Sequence, residues 1–264
     1  MDALFEALAF LTILPLGRRA GPPGHRSLVA FPLVGLLVGG VWVGVGWLGA
    51  RLWAALPAAA LVLVADVVLT GGLHIDAVAD LADGWASRKP AEAALEVMRD
   101  PAVGAVGAAV LGTTLLLRWS LLVLLVDRAA SGHWWLLLVP PVASRTAMVV
   151  GLGRPSRSGR PGRATQEGEP SLSLPHKSPK AASLTDSLSG AGWGVIGAAL
   201  AIGVAIAGAA GSWRGVVAIA LGAALAAGGA RWSARRFGRL TGDAVGAAGM
   251  AAEIVATALL TARG

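Results

Sequence analysis

The sequence predicts an all-α protein, a polytopic bundle of membrane-spanning helices. Hydrophobic residues make up 55% of the 264-residue chain and charged residues only 14%, with a mean hydropathy of +0.69. A soluble domain would carry about 25% charged residues. The apolar residues are also grouped into runs of the length that a membrane-spanning helix needs. A buried soluble core could be equally hydrophobic, but it would not repeat such runs between short basic loops.

Seven apolar segments are predicted to span the membrane. They are residues 28–50, 55–73, 102–126, 133–152, 190–210, 215–230 and 244–262. Residues 1–16 also show apolar positions at helical spacing, but Asp2 and Glu6 stand where a signal peptide would be basic. This stretch is therefore predicted to be an N-terminal interfacial helix. The whole chain, 1–264, is expected to form a single membrane-embedded domain.

The distribution of Lys and Arg predicts the orientation. These residues collect in alternate loops, and the positive-inside rule then assigns residues 74–100, 153–187 and 231–243 to the cytoplasmic side. The segment 153–187 is rich in Arg, Gly, Pro and Ser and lacks helical periodicity, which predicts a mobile loop. The loops account for the net charge of +7, so no nucleic-acid partner is expected. The absence of Cys excludes disulfides and thiolate metal sites.

Two further features concern packing inside the bundle. Gly35 with Gly39, and Gly40 with Gly44, have the four-residue spacing that permits close contact between helices. Charged residues also occur within the predicted spans, and such residues usually pair with one another or line a site. They are Asp66, Arg118, Arg145 and Glu253.

Residues 71–84, GGLHIDAVADLADG, are the stretch with the clearest chemistry. Asp76, Asp80 and Asp83 follow one another at i, i+4 and i+7, which puts them within about 40° on one helical face. Three carboxylates there repel one another and are costly to desolvate. A divalent cation would offset them, and ligation by oxygen alone favours magnesium or manganese over zinc. A solvated acidic helix end is the alternative.

Spacing refines this interpretation. Asp76 and Asp83 lie about 10.5 Å apart along a helix axis, which suits two ions, or one ion and a carboxylate that activates a hydroxyl. On a continuous helix His74 points about 160° away from Asp76, although Gly71-Gly72 could break the helix before it. His74 is therefore either a structural histidine or a phosphate contact or proton carrier.

The same predicted edge gathers other charged residues. Arg99 and Asp100 precede the third span, and Asp243 lies at the mouth of the last. Glu253 lies about 15 Å deeper along that helix, where it could satisfy Arg118 or Arg145. Carboxylates for a metal, cations for phosphate and apolar walls together indicate phosphoryl transfer on a substrate held at the membrane.

The motif at 71–84 closely resembles the signature of the adenosylcobinamide-GDP ribazoletransferase family, also called cobalamin synthase. The resemblance covers most of the chain, in the ordered stretches FLTILPLG at 10–17, FPLVGLLVG at 31–39, MRDPAVGAVG at 98–107, PPVASRTAMV at 140–149 and GDAVGAAGMAAEI at 242–254. It implies a magnesium-dependent, multi-pass enzyme of the bacterial inner membrane with its active site facing the cytoplasm. Such an enzyme joins adenosylcobinamide-GDP to α-ribazole, or its 5′-phosphate, and releases GMP in the last assembly step of cobalamin biosynthesis.

Site residues follow from the motif and the resemblance together. The expected catalytic residues are His74, Asp76, Asp80 and Asp83. The expected magnesium ligands are Asp76, Asp80, Asp83 and Asp243. The residues expected to bind substrate are Arg99, Asp100, Arg145 and Arg154. The chain departs from the family pattern at Gly249-Met250, where an Asn-Glu pair is usual, and at Ala77, where Gly is usual.

Two rival functions remain open on the sequence. A CDP-alcohol phosphotransferase uses the same reaction logic, but its acidic pattern has Ala-Arg after Asp-Gly, whereas Trp85-Ala86-Ser87 follows Asp83-Gly84 here. A cation transporter would use Asp66 with the motif's acids, but these would then be expected at mid-membrane on discontinuous helices. The lipid bilayer is an expected partner, and self-association into a homo-oligomer is left open.

Overall fold

In a computed structural model, the protein is a bundle of α-helices. The structure describes residues 2–16, 23–153, 188, 190–210 and 212–262. Its helices are α1 (Asp2–Leu11), α2 (His25–Leu28), α3 (Phe31–Leu52), α4 (Ala55–Thr70), α5 (Leu73–Ala86), α6 (Ala91–Arg99), α7 (Ala105–Ala130), α8 (Val139–Leu152, preceded by the 3-10 helix Trp134–Leu138), α9 (Trp193–Ala209), α10 (Trp213–Arg236) and α11 (Gly242–Thr261). The described residues contain no β-strand, so the predicted all-α class is confirmed.

Helix lengths make the chain a multi-pass membrane protein. Helices α3, α7, α10 and α11 and the segment Trp134–Leu152 are each long and apolar enough to cross a membrane. Helices α4 and α5 pass the same test as a pair bent by 84°. Helix α9 is a shorter apolar helix of 17 residues. Each of the seven predicted segments therefore corresponds to an apolar helix, and the described helices give five spans, or six with the bent pair.

The predicted mobile loop at 153–187 lies almost entirely outside the described residues, which end at 153 and resume at 188. Arg154, a predicted substrate-binding residue, is among those outside.

The bend between α4 and α5 is built by two glycines. Gly71 and Gly72 have φ angles of 62° and 72°, in the left-handed region that residues with a Cβ adopt only at a cost. Their amides donate back to carbonyls in the last turn of α4, at 3.2 Å to Val68 and 2.9 Å to Val67. These bonds close α4 as a Schellman-type cap does and let α5 leave at 84°. The predicted break before His74 is confirmed.

Helix α8 forms the centre of the bundle. Every residue of the helix except Val150 is buried. It contacts α3, α9, α10 and α11, so the helices are arranged around it. Helix α7 lies at the periphery instead, where Leu116 is 64% exposed and Leu124 is 54% exposed. Apolar side chains that face outward in this way are suited to contact with lipid acyl chains.

The two glycine pairs of α3 have different environments. A Cβ on Gly35 would lie 2.8 Å from the Cα of Val142, and one on Gly39 would lie 2.8 Å from the Cα of Leu138. The backbones of α3 and α8 can therefore approach closely only because both positions are glycine. Nothing lies within 4 Å of a Cβ on Gly40 or Gly44. The packing prediction is confirmed for the first pair, and the second pair faces open space.

Helix α1 packs on the start of the bundle. The Ser27 hydroxyl donates a hydrogen bond to the Glu6 carboxylate, and Ala7 and Leu11 are fully buried. Phe5 is 44% exposed on the other side of the helix. The helix is therefore amphipathic, as expected, and its position in the membrane interface stays a prediction.

Candidate active site

Helix α5 carries the four residues of the predicted catalytic motif, but it gives them different surroundings. Asp76 is exposed, Asp83 is half-buried, and His74 and Asp80 are buried, at 4% and 9% exposure. The helix is amphipathic, and its apolar residues pack against the bundle. The three acids share one helical face, but neighbouring helices bury each of them to a different extent.

Asp83 fixes the start of α7. The backbone amide of Gly104 donates to its Oδ2 and the amide of Gly107 donates to its Oδ1, both at 2.7 Å. A Cβ on either glycine would overlap this carboxylate, so the approach requires glycine at both positions. The negative charge also lies at the positive end of the α7 dipole. Asp83, an expected metal ligand, thus joins α5 to the first turn of α7.

The start of α11 lies beside the acidic face of α5. A Cβ on Gly246 would lie 2.7 Å from the Cβ of Ala77, so the two helices touch there. Gly249, the next turn of α11, faces Met148, whose sulfur lies 3.2 Å from Nε2 of His74. His74 and Gly249, each about one turn from the Ala77–Gly246 contact, therefore pack against the same side chain, Met148.

Two acids that are distant in sequence lie near this contact. Asp243 lies about one turn before Gly246, and Asp80 lies about one turn after Ala77, so each is within about one turn of the point where the helices touch. Asp243 is half-buried, and each of Asp76, Asp80 and Asp243 has a polar or electrostatic partner. Within the described residues, no group of three or more acidic or histidine side chains forms a ready-made metal cage.

Side chains before α11 hold this helix start in position. The Thr241 hydroxyl accepts the amide hydrogen of Ala244 at 3.1 Å and so caps the helix. The Ser233 hydroxyl, at the end of α10, donates to the carbonyl of Arg239 at 3.0 Å and accepts from the amide of Thr241 at 3.3 Å. The turn that presents Asp243 is therefore tied down at both ends.

His74 faces the interior instead of the acids. Its Nε2 lies 3.2 Å from the sulfur of Met148, in the centre of α8. This contact is consistent with the predicted direction of about 160° away from Asp76. His74 helps to seat α5 on α8, and its catalytic role stays a prediction.

A separate set of charges is buried in the middle of the bundle. Arg118 donates to Asp66 at 2.7 Å and to Glu253 at 2.5 Å, and Arg145 lies 3.3 Å from Glu253. The Trp42 indole donates to Asp66 at 3.3 Å. We call these five residues the buried charge network. Two carboxylates and two guanidinium groups balance in charge, as the cost of ions inside a membrane requires.

The buried charge network answers two predictions. Glu253 satisfies both Arg118 and Arg145, as expected for an acid this deep in the last span. Asp66 pairs with Arg118, the other interior arginine. Arg145 is 1% exposed and bound to Glu253, so substrate binding by Arg145 stays a prediction with a structural role beside it.

The remaining predicted substrate residues lie at the surface. Arg99 and Asp100 are both exposed at the end of α6, where Asp100 accepts the amide hydrogen of Ala102 at 2.9 Å. Their role in binding stays a prediction, and Arg154 lies outside the described residues.

Sequence reasoning missed a cleft beside the acidic helix end. It has a volume of about 920 Å³ and is lined by Trp85, Ala86, Arg88, Lys89, Pro90, Val106 and Arg236. We call it the basic cleft. Arg88 and Lys89 were visible as loop cations, but Arg236 comes from the far end of α10, and no sequence signal joined it to them.

Comparison with known proteins agrees with this architecture. The CobS family, described as cobalamin-5-phosphate synthase, matches residues 3–261. An adenosylcobinamide-GDP ribazoletransferase of Roseiflexus sp. (strain RS-1) is 36% identical, over 97% of this chain and 88% of its own length. Those of Chlorobaculum parvum and Pseudomonas entomophila are 33% and 34% identical, over 96% and 91% of this chain and 92% and 91% of their own lengths. No solved structure matches the chain.

A multi-pass membrane bundle with an acidic helix at one edge is thus matched over residues 3–261 by the model of an enzyme family. The chain belongs to the CobS cobalamin-5-phosphate synthase family. It is accordingly a transferase of cobalamin biosynthesis, with adenosylcobinamide-GDP ribazoletransferase activity. The predicted family and enzyme class are confirmed, and the two rival functions are set aside.

Proposed function

We propose that the ribazoletransferase reaction takes place at the edge where α5 meets the start of α11, with Asp76, Asp80 and Asp243 as its central carboxylates. The observation that supports this proposal is the contact of the two helices through Ala77 and Gly246. Asp76, Asp80 and Asp243 each lie within about one turn of this contact along their own helix. Asp66 and Glu253, the acids in the interior, lie away from this edge and pair with Arg118.

The reaction needs two partners at this edge. A hydroxyl of α-ribazole, or of its 5′-phosphate, attacks the cobinamide-bearing phosphate of adenosylcobinamide-GDP. A new phosphate–oxygen bond forms, the bond between the two phosphates breaks, and GMP leaves with its phosphate. The proton of the attacking hydroxyl passes to a carboxylate, for which the exposed Asp76 is the accessible acceptor.

The donor chemistry of the edge fits magnesium. Asp76, Asp80 and Asp243 would supply oxygen ligands, and magnesium is commonly held by one or two carboxylates together with substrate phosphates and water. This mode of binding suits an edge where the described residues form no cage of three or more ligands. When bound, magnesium neutralises the charge on the phosphates.

The protein's own residues do the positioning. Asp83 holds α5 to α7, Thr241 and Ser233 hold the start of α11, and His74 seats α5 on α8. These contacts fix the backbone of the acidic face, which lets the carboxylates act without rearrangement.

A titration of purified enzyme tests the proposal. Asp80→Asn should lower the rate of GMP release by about 100-fold or more and weaken the apparent affinity for magnesium. Asp127→Asn is the matched control, because Asp127 is an exposed acid near the far end of α7. Normal turnover and normal magnesium dependence in Asp80→Asn would reject the assignment.

We also infer that this edge faces the cytoplasm, because the basic residues Arg88, Lys89 and Arg236 lie at its end of the bundle. Ser87 follows α5, and Ser131 follows α7 at the opposite end. In the Cys-free chain, Ser131→Cys should react with an impermeant maleimide in intact cells, and Ser87→Cys only after the cells are opened. The reverse pattern would invert the orientation.

A further inference from the structure

We propose that the basic cleft binds the GMP half of adenosylcobinamide-GDP, with the guanine ring against Trp85 and the phosphate between Arg88, Lys89 and Arg236. This inference rests on the proposed function, because it assumes that the phosphate transfer takes place at the acidic edge of α5. It adds a binding site for the nucleotide, made of residues that neither the motif nor the resemblance indicated.

The position of the cleft suits a leaving nucleotide. Trp85 and Ala86 are the last two residues of α5, so the cleft opens where the acidic face ends. Val106, in the wall of the cleft, lies between Gly104 and Gly107, whose amides donate to the Asp83 carboxylate of α5. The volume of about 920 Å³ lies within the range of small-molecule sites, about 300–1,000 Å³. A GMP group with its phosphate at the cations of the cleft would therefore lie next to the end of the acidic helix.

The charge of the cleft favours a phosphate. Arg88 and Lys89 are exposed and Arg236 is half-buried, and none of the described residues that line the cleft is acidic. Arginine binds phosphate through paired N–H groups, and two arginines with a lysine match the dianionic phosphate that GMP carries on release. The cations would also stabilise the charge that develops as this phosphate leaves.

The cleft is held in shape before any ligand arrives. Arg236 donates to the carbonyl of Lys89 at 3.0 Å, and its guanidinium lies 5.2 Å from the centre of the Phe237 ring. Phe237 is buried against α6, so the ring that contacts Arg236 is held in place. Arg88 has a φ angle of 53°, the left-handed conformation that commonly ends a helix, and this turn directs the chain from α5 into the wall of the cleft.

Trp85 offers a surface for the base. Its side chain is 59% exposed at the wall of the cleft. Stacking on an indole ring suits a purine, and it works without hydrogen bonds from the protein. A tryptophan in the membrane interface can also anchor a helix, but anchoring does not require the three cations that line the same cleft.

An anionic lipid headgroup shares the phosphate chemistry of GMP and could meet the same cations. The nucleotide is favoured because the cleft lies at the end of the acidic helix and has an aromatic wall. The experiment below separates the two sources of phosphate.

Product inhibition by GMP is the direct probe. With purified enzyme and magnesium, Arg88→Gln should raise the inhibition constant of GMP by about 10-fold, since one charged hydrogen bond is lost. Trp85→Leu should raise it by a similar factor and leave inhibition by inorganic pyrophosphate unchanged. The KM for α-ribazole should stay the same in both variants. Both side chains are exposed, so folding should be preserved, and Arg128→Gln is the control at the opposite end of α7.

The lipid arm uses the same variants in vesicles of phosphatidylcholine alone and of an equal mixture with phosphatidylglycerol. Unchanged GMP inhibition in Arg88→Gln and Trp85→Leu would overturn the proposal. If those variants instead lose a dependence on phosphatidylglycerol, the cleft is a lipid site. Asp80→Asn separates the failure of the reaction site from the failure of the GMP site. If Asp80→Asn has normal turnover but Arg88→Gln shows weaker inhibition by GMP, the acidic edge is rejected as the reaction site and the basic cleft is retained as the GMP site.

Discussion

Helix α11 carries two acids with opposite surroundings. Glu253 lies in the middle of the bundle, 3% exposed, between Arg118 and Arg145. Asp243 is half-buried in the first turn, beside the acidic face of α5. An acid deep in a membrane protein must be neutralised by its neighbours, whereas one at the edge can exchange partners with water, a metal ion or a substrate. The depth of a carboxylate, more than its presence in a motif, therefore separates structural acids from acids available for chemistry.

The structural role of the buried acids is tested by replacing Arg118, which pairs with both Asp66 and Glu253. In Arg118→Met, Asp66 and Glu253 lose their central partner, and uncompensated buried charge typically costs about 3–5 kcal/mol. We expect a large loss of thermal stability in detergent and a low yield in membranes. Arg128→Met, an exposed arginine on the same helix, should have little effect.

A second variant checks the cause. Adding Asp66→Asn and Glu253→Gln to Arg118→Met removes the charges that Arg118 neutralised, so part of the lost melting temperature should return. If Arg118→Met alone melts like the unchanged enzyme, the buried charge network does not stabilise the bundle.

Asp83 is a structural acid at the edge of the bundle, and a substitution at Gly107, which contacts it, tests this role. An alanine at Gly107 would overlap the Asp83 carboxylate, so Gly107→Ala should cost about 1–3 kcal/mol through strain at the junction of α5 and α7. Gly112→Ala on the same helix is the control, because nothing lies within 4 Å of a Cβ there. Melting curves of the two purified variants should differ clearly. Equal curves would mean that the junction is loose.

A smaller effect is expected for Asp83 itself. Asp83→Asn keeps one acceptor for the α7 amides and loses the charge at the helix start, so stability should fall by about 0.5–2 kcal/mol. Because both oxygens already accept amide hydrogens, magnesium dependence should change much less than in Asp80→Asn. A large drop in apparent magnesium affinity would make Asp83 a metal ligand after all, as the motif alone predicts.

Several of these features were readable from the sequence. Hydropathy located each apolar segment, and Gly71-Gly72 marked the bend, because both properties are local. Depth alone indicated that Glu253 could pair with Arg118 or Arg145, since a buried acid needs a cation, and the structure pairs it with both. The role of Asp83 did not follow, because its amide partners lie on another helix whose rotation hydropathy does not specify.

The basic cleft shows the same limit. Arg236 reaches the carbonyl of Lys89 across 147 positions of sequence, a contact that exists only after the end of α10 packs beside α6. Helix periodicity gives the face of a single helix, while a site between helices depends on their relative rotation and depth. The chemical groups of the site could therefore be predicted, and their grouping could not.

The most direct test compares Asp243→Asn with Glu253→Gln in purified enzyme, by GMP release per folded molecule and by melting temperature. We expect Asp243→Asn to fold normally and lose about 100-fold or more in GMP release. Glu253→Gln should melt at a lower temperature and keep most of its turnover per folded molecule, because it removes a partner of buried arginines. A catalytically normal Asp243→Asn, or a stable but inactive Glu253→Gln, would contradict the assignment and move the chemistry into the membrane interior.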